Sequence, residues 1–188
     1  MTRSGAPSAL AFPLAGLLAE VPGVSRTFTF EEVPLELERD LELIDGVGGR
    51  LHVMRTNRGL YAQAEVHGQL RETCSRCLRE VAIPIKVTIE EEVLPSIDVA
   101  TGLRVDRSAE PDTVRLTEAH ELDLGPLVFD ALSLAEPITP LCRPDCPGLC
   151  PECGTDLATG PHDHGETAAD TRLAVLRGFR VDGEPDTD

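Results

Sequence analysis

Hydrophobic and polar residues alternate along much of the N-terminal half of the chain, a pattern typical of half-buried β-strands. The alternation predicts strands over residues 25–30, 33–43, 60–70 and 81–89, and a further strand that begins at Leu51. Asn57-Arg-Gly59 has the composition of a hairpin turn between two of these strands. Five amphipathic strands with short connections predict an antiparallel sheet that is strongly curved or partly closed.

A single helix is predicted to follow the sheet. Residues 95–113 are polar and rich in turn formers, so we expect a long loop there. The helix is predicted over residues 124–136, with Asp123 as a capping residue and Pro137 as the residue that ends it. Apolar residues recur at helical spacing at Leu124, Leu127, Val128, Ala131, Leu132 and Ala135. The predicted fold class is α+β, with a curved antiparallel sheet of about five strands followed by a helix and a small Cys-rich module.

The length of 188 residues suits one compact domain with a small appendage. We predict an N-terminal arm, a sheet core, a zinc-ribbon-like Cys-rich module that ends in a short helix from Asp170, and a disordered acidic tail. Their predicted bounds are residues 1–24, 25–136, 137–180 and 181–188. Within the arm, the apolar segment 12–18 is expected to pack against the core.

The chain has no run of about 20 apolar residues that would predict a membrane span. Its apolar segment 9–19 is interrupted by Pro13 and Gly16 and leads to Glu20 without the small residues of a signal cleavage site. We therefore expect a cytoplasmic protein.

The charge of the chain narrows the choice of partners. The net charge is −16, which argues against general nucleic-acid binding and favours a basic protein partner. The segment between Arg50 and Ile89 nevertheless has a net charge of +4, against −20 for the remainder. Any contact with RNA phosphate is expected from its basic residues, which are Arg50, Arg55, Arg58, Arg71, Arg76, Arg79 and Lys86.

Six cysteines and two nearby histidines form four close pairs. They are Cys74/Cys77, Cys142/Cys146, Cys150/Cys153 and His162/His164. Zinc takes four nitrogen or sulfur ligands in a tetrahedron, and a C-x2-C turn supplies two of them. Eight ligands correspond to two complete sites, so we predict one or two structural zinc ions.

The spacing leaves three ways to divide the ligands. In the first, Cys150 and Cys153 join the two histidines, and Cys74 and Cys77 join Cys142 and Cys146 across 64 intervening residues. In the second, the four C-terminal cysteines share one metal and Cys74/Cys77 stay free. In the third, the two C-x2-C turns share a metal, as in a zinc ribbon.

Other uses of the cysteines fit less well. Disulfides suit a secreted chain, and an iron–sulfur cluster does not match the C-x3-C-x3-C-x2-C spacing. A redox-active C-x2-C usually opens a helix, whereas Cys74 and Cys77 lie between two predicted strands. No phosphate loop, nucleophile elbow or H-E-x-x-H helix is present, so we expect a protein that is not an enzyme.

Several segments resemble the YceD family, the large ribosomal RNA subunit accumulation proteins. The similar segments are Leu17-Leu18 with Pro22-Gly23 and Arg26, Cys74-Ser-Arg-Cys77-Leu78, Leu124-Gly-Pro-Leu127, the stretch 140–154 with its four cysteines, and residues 170–176. The resemblance covers roughly residues 10–178, and the Cys-rich stretch is its most specific part. Where many relatives end the module in Cys-x-Cys, this chain has His162-Asp-His164, which replaces two zinc ligands by two others.

The resemblance implies a bacterial or plastid protein needed for the accumulation of 23S ribosomal RNA, acting in ribosome assembly or RNA processing. It also implies a link to a small basic large-subunit ribosomal protein, whose gene commonly lies beside that of the family. The competing hypothesis is a thiol redox or metal-handling protein that uses its C-x2-C pairs. A zinc-stabilised adaptor unrelated to ribosomes is a third.

Overall fold

The computed structural model describes residues 9–35, 41–106, 108, 110–160, 163 and 164. The elements in chain order are β1 (Ala11–Pro13), α1 (Ala15–Leu18), β2 (Ser25–Val33), β3 (Glu42–Arg55), β4 (Leu60–Thr73), β5 (Glu80–Leu94), β6 (Val114–Arg115), β7 (Glu121–Asp123) and α2 (Gly125–Ala135). A short 3-10 helix, Leu157–Thr159, lies in the Cys-rich module.

The central sheet has five strands in the order β2-β3-β4-β5-β6. The first four pair antiparallel in sequence, whereas β6 pairs parallel with β5 through Val93–Val114 and Leu94–Arg115. The α+β class with one principal sheet, one main helix and a Cys-rich cluster is therefore confirmed. The parallel edge strand is a difference from the expected purely antiparallel sheet, and it pairs with the last two residues of β5.

The predicted hairpin turn joins β3 to β4. The amide of Thr56 donates to the carbonyl of Gly59 at 3.0 Å, and the amide of Gly59 donates to the Thr56 hydroxyl at 3.1 Å. These two bonds close the loop around Asn57-Arg-Gly59, as the composition of the turn predicts.

The predicted strand over residues 33–43 is wrong as a separate strand. Val33 is the last residue of β2, and Leu43 lies in β3 opposite Leu70 of β4. Both strands are irregular next to this connection, because the pairing shifts register between Phe30 and Val33 and again between Ile44 and Val47. The two ends of the predicted strand therefore belong to two different strands, and residues 36–40 lie outside the described part.

The arm and α2 cover the apolar face of the sheet. Leu14 and Leu17 are fully buried, and the ring of Phe12 lies 5.3 Å from that of Phe28. β1 also pairs with β7, just before α2. From α2, Val128 and Leu132 are fully buried in the same core, so the arm packs on the body as expected.

Helix α2 begins one residue later and ends one residue earlier than predicted. Leu124 occupies the N-cap position, and the carboxylate of Asp123 accepts a hydrogen bond from the amide of Gly125 at 3.0 Å. Glu136 has an extended backbone before Pro137, which ends the helix.

The predicted helix from Asp170 and the tail 181–188 lie outside the described residues. Within the described part of the chain, no helix is long and apolar enough to cross a membrane.

Candidate metal centres

The first candidate centre is built on the turn between β4 and β5. The amide of Cys74 donates to the carbonyl of Arg79 at 2.8 Å, and the amide of Leu78 donates to the carbonyl of Cys74 at 2.9 Å. These bonds fold residues 74–79 into a tight knuckle at the end of the hairpin. The sulfurs of Cys74 and Cys77 belong to one cluster with those of Cys142 and Cys146.

The four sulfurs have the spacing of a tetrahedral zinc site. Cys74 Sγ lies 3.9 Å from Cys146 Sγ, and Cys77 Sγ lies 3.7 Å from Cys142 Sγ. All four sulfurs lie within 4.8 Å of one another. Because a Zn–S bond is about 2.3 Å, two sulfurs of a zinc tetrahedron are about 3.8 Å apart. The donor set and its size therefore fit zinc.

Hydrogen bonds from the knuckle bring in the second pair of cysteines. The amide of Ser75 donates to the carbonyl of Pro140 at 2.9 Å. Arg76 contacts the module through both its side chain and its backbone. Its guanidinium donates to the carbonyl of Cys146 at 2.8 Å, and its carbonyl accepts a hydrogen bond from the amide of Leu149 at 3.2 Å. The end of the β4–β5 hairpin thus holds the Cys-rich module against the sheet.

The electrostatics of the cluster favour a cation. Hydrogen bonds from the backbone amides of Cys77 and Cys142 lower the pKa of Cys74 to about 6. The side chain of Arg79 lowers the pKa of Cys77. The neighbouring Cys146 sulfur and burial raise the pKa of Cys142 to about 12. The environment supports some thiolates but not four adjacent negative charges, and a divalent cation would offset two of these charges.

The second candidate centre lies in the loop after Leu149. Its donor atoms are the sulfurs of Cys150 and Cys153 and a ring nitrogen of His164, all within 4.8 Å of one another. Cys150 Sγ lies 3.3 Å from His164 Nε2, close to the roughly 3.6 Å expected between sulfur and nitrogen ligands of one zinc ion. The Glu152 carboxylate lies 3.5 Å from His164 Nδ1, which leaves Nε2 directed at the sulfurs.

The local backbone repeats that of the first knuckle. The amide of Gly154 donates to the carbonyl of Cys150 at 2.9 Å, as Leu78 does to Cys74. Backbone amides of Cys153 and Glu152 lower the pKa of Cys150, and the Thr155 hydroxyl lowers that of Cys153. His162, the fourth predicted ligand, lies outside the described residues.

This grouping matches the first of the three divisions of ligands, in which each C-x2-C turn belongs to a different centre. The second and third divisions do not match it. The sulfur–sulfur distances of 3.9 Å and 3.7 Å in the first cluster are far beyond the roughly 2.05 Å of a disulfide bond.

Comparison with known proteins finds a family that matches this chain. The family model described as large ribosomal RNA subunit accumulation protein YceD matches residues 62–180, more than half of the chain. The chain belongs to the YceD family. The match contains both candidate centres but does not reach the arm, β2 or β3, where the sequence resemblance was weakest.

The relatives of this YceD family member include uncharacterized mycobacterial proteins. Proteins of Mycobacterium tuberculosis and Mycobacterium bovis are each 36% identical over 126 residues, which is 67% of this chain and 58% of the relative. A Mycobacterium leprae protein is 37% identical over 92 residues, 48% of this chain and 40% of the relative. The chain thus spans less than two thirds of the length of these relatives. No solved structure matches it.

The basic residues of this YceD chain are mostly engaged within the fold. Arg55 donates to the carbonyls of Leu18 and Gly59, and Arg71 forms ion pairs with Glu42 and Glu80. Arg58 forms ion pairs with Glu92 and Glu110. Arg79 forms an ion pair with Asp156, and Lys86 forms one with Glu65. Arg76 donates a hydrogen bond to the carbonyl of Cys146. Arg50 has no ion pair among the described residues and borders a small cavity with Thr27, His52, Gln63 and Glu65. The structure therefore does not present these residues as one unpaired basic surface.

Two contacts escaped the sequence analysis. Glu152 orients His164, and Asp156 binds Arg79 at 3.1 Å. Acidic residues are abundant in this chain, so their spacing gave no signal that distinguished these two.

Replacing Leu78 in the first knuckle with glycine is expected to stabilise the fold. Leu78 has a φ of 59° and is 65% exposed. The equivalent residue of the second knuckle is Gly154, with a φ of 71°. A left-handed backbone costs a residue with a Cβ about 1–2 kcal/mol, a cost that glycine avoids. We expect Leu78→Gly to raise the free energy of unfolding by about 1 kcal/mol and Gly154→Ala to lower it by a similar amount.

Denaturant titration of the metal-loaded full chain measures both variants. Destabilisation by Leu78→Gly would show that the exposed leucine side chain makes stabilising contacts larger than the backbone strain.

Proposed function

We propose that this chain is a non-enzymatic factor for 23S ribosomal RNA accumulation that acts in assembly of the large ribosomal subunit in the cytoplasm. Membership of the YceD family supports the link to large-subunit RNA. The tetrahedral spacing of four sulfurs is the observation that supports a structural zinc ion in this factor. Cys150, Cys153, His164 and His162 would hold a second zinc ion.

The proposed zinc ions act as cross-links. A site filled by four protein ligands keeps no position for water or substrate, which is the arrangement of structural rather than catalytic zinc. Cys74 is fully buried and Cys77 is 5% exposed, so solvent reaches the knuckle sulfurs poorly. This burial favours the structural role over the redox hypothesis, which needs an accessible Cys74/Cys77 pair.

The proposed direct partner is a basic large-subunit ribosomal protein. The net charge of −16 gives a field that attracts basic chains and repels RNA phosphate. Most of the basic residues proposed for contact with 23S RNA bind acidic side chains or carbonyls of this chain, which favours a protein partner over RNA. Arg50 and Lys86 are the candidates for an RNA contact that can be changed with least damage to the fold.

Association with large-subunit precursors tests the proposal. Tagged full-length chain is expected to sediment with precursors of the large subunit at low salt and to leave them at high salt, since charge drives the contact. Cys74→Ser should lose this association, whereas the double substitution Arg50→Glu and Lys86→Glu should retain it.

Loss of association in the double variant, with an unchanged circular dichroism spectrum, would assign an RNA contact to this face of the sheet. Absence of the wild-type chain from every large-subunit particle, together with normal 23S RNA in cells that lack the protein, would contradict the proposed function.

A further inference from the structure

Arg79 contacts both halves of the Cys-rich region. It is the last residue of the first knuckle, and its carbonyl accepts a hydrogen bond from the amide of Cys74 at 2.8 Å. Its side chain donates from Nε to Cys77 Sγ at 3.4 Å, and its Nη2 lies 3.1 Å from the Asp156 carboxylate. One guanidinium thus joins a sulfur of the first centre to the loop that carries the second.

Asp156 is itself fixed to the second knuckle. Its Oδ1 caps the short 3-10 helix by accepting the amide of Ala158 at 2.9 Å, while its Oδ2 faces Arg79. The preceding Thr155 accepts the amide of Cys150 at 2.8 Å through its carbonyl and lies 3.1 Å from Cys153 Sγ through its hydroxyl. The position of Asp156 therefore depends on the loop that the second centre organises.

The charge of the two centres gives Arg79 a role at the first. Four thiolates and one divalent cation have a formal charge of −2, whereas the thiolates of Cys150 and Cys153, a neutral His164 and the cation have none. An N–H donor to a ligand sulfur offsets part of this excess charge and fixes the position of the sulfur, and such outer partners are worth about 10- to 100-fold in metal affinity.

We propose that Arg79 is a positioning residue that couples the two metal centres, so that the organised second centre, through Asp156, strengthens metal retention at Cys74, Cys77, Cys142 and Cys146. This inference rests on the proposed zinc binding. When the second loop loses its metal, Asp156 no longer holds the guanidinium, and the hydrogen bond to Cys77 weakens. Loss of metal from the second centre then lowers the metal affinity of the first.

Cobalt(II) is a suitable probe, because its visible absorption distinguishes a tetrathiolate site from a mixed sulfur–nitrogen site. In the cobalt-loaded full chain, transfer of metal to a chelator is followed separately for each site. Arg79→Gln should accelerate release from the tetrathiolate site by about 10- to 100-fold. Asp156→Asn keeps the capping oxygen but removes the charge, and should accelerate release from the same site by about two- to fivefold, the effect of a half-exposed ion pair.

Three further variants distinguish coupling between the two centres from a general destabilisation of the module. If Arg79 carries the coupling, adding Asp156→Asn to Arg79→Gln causes no further acceleration. Arg79→Lys keeps the charge but cannot contact Cys77 and Asp156 at the same time as the guanidinium does, so we expect a rate of metal release between those of wild type and Arg79→Gln. Arg143→Gln is the matched control, since Arg143 lies between two cysteines of the first centre and pairs with Asp145. This substitution removes the same charge, and within the described part of the chain the Arg143 side chain pairs with Asp145 rather than with a sulfur.

The outcomes decide between the two proposals. An unchanged tetrathiolate release rate in Asp156→Asn, additive effects in the double variant, or an equal effect of Arg143→Gln would overturn the coupling while leaving zinc binding intact. A wild-type chain that takes up no cobalt would overturn the zinc proposal itself.

Discussion

Replacing Cys74 with serine is expected to detach the Cys-rich module from the sheet. Cys74 is fully buried, and its sulfur lies in a cluster with Cys142 and Cys146, which are distant in sequence. A structural zinc site contributes about 10 kcal/mol or more in isolated peptides, comparable with the total stability of a domain. We expect a loss of several kcal/mol of unfolding free energy and one fewer zinc ion per chain.

Ser75→Ala is the matched control for this variant. Ser75 is an exposed residue of the same knuckle. Its substitution by alanine removes only the hydrogen bond of 3.0 Å from the Ser75 hydroxyl to the carbonyl of Pro140. Its cost should be about 0.5–1.5 kcal/mol. Hydrogen exchange of the amides after Pro140 measures detachment directly. Equal protection in Cys74→Ser and Ser75→Ala would show that the first centre does not hold the module.

Replacing Cys150 with serine is expected to unfold a smaller region. Its ligand partners Cys153 and His164 are close in sequence, and the hydrogen bonds that link the module to the sheet run through Arg76 and Ser75 instead. Loss of the second centre should therefore disorganise the loop around Leu157–Thr159 while the sheet remains folded. Circular dichroism should retain the β signal, and hydrogen exchange should accelerate most in the loop.

Thr159→Ala serves as the control for the same loop. It removes only the hydroxyl that donates to the carbonyl of Asp156 at 2.7 Å and leaves every proposed ligand in place. Loss of all β structure in Cys150→Ser would show that the sheet and the module unfold as one cooperative unit.

Much of the fold follows from the local sequence pattern. The alternation in β4 and β5 continues without a shift of register, and their predicted cores at 60–70 and 81–89 are correct. The pattern failed at 33–43, because parity does not distinguish one continuous strand from the end of β2 at Val33 and the start of β3 at Glu42. The pairing of β1 with β7 and of β5 with β6 depends on contacts between distant residues, which periodicity does not encode.

The candidate site was predictable in composition but not in pairing. Ligand types and spacings predicted that Cys150/Cys153 and Cys74/Cys77 are zinc knuckles, and the count indicated two sites. Three divisions of the ligands remained open, because the spacing of Cys142 and Cys146 suits either knuckle. Only the fold decides this, since the β4–β5 hairpin brings the first knuckle to Pro140 and Cys146.

Elemental analysis of full-length protein, purified without an immobilised-metal column, tests zinc binding most directly when it is combined with a count of reactive thiols under native conditions. The account predicts about two zinc ions per chain and no reactive thiol among the six cysteines. It also predicts one zinc ion in Cys74→Ser. A wild-type chain without metal, in which Cys74 and Cys77 react freely and form a disulfide under mild oxidation, would contradict the structural zinc sites and favour the redox hypothesis.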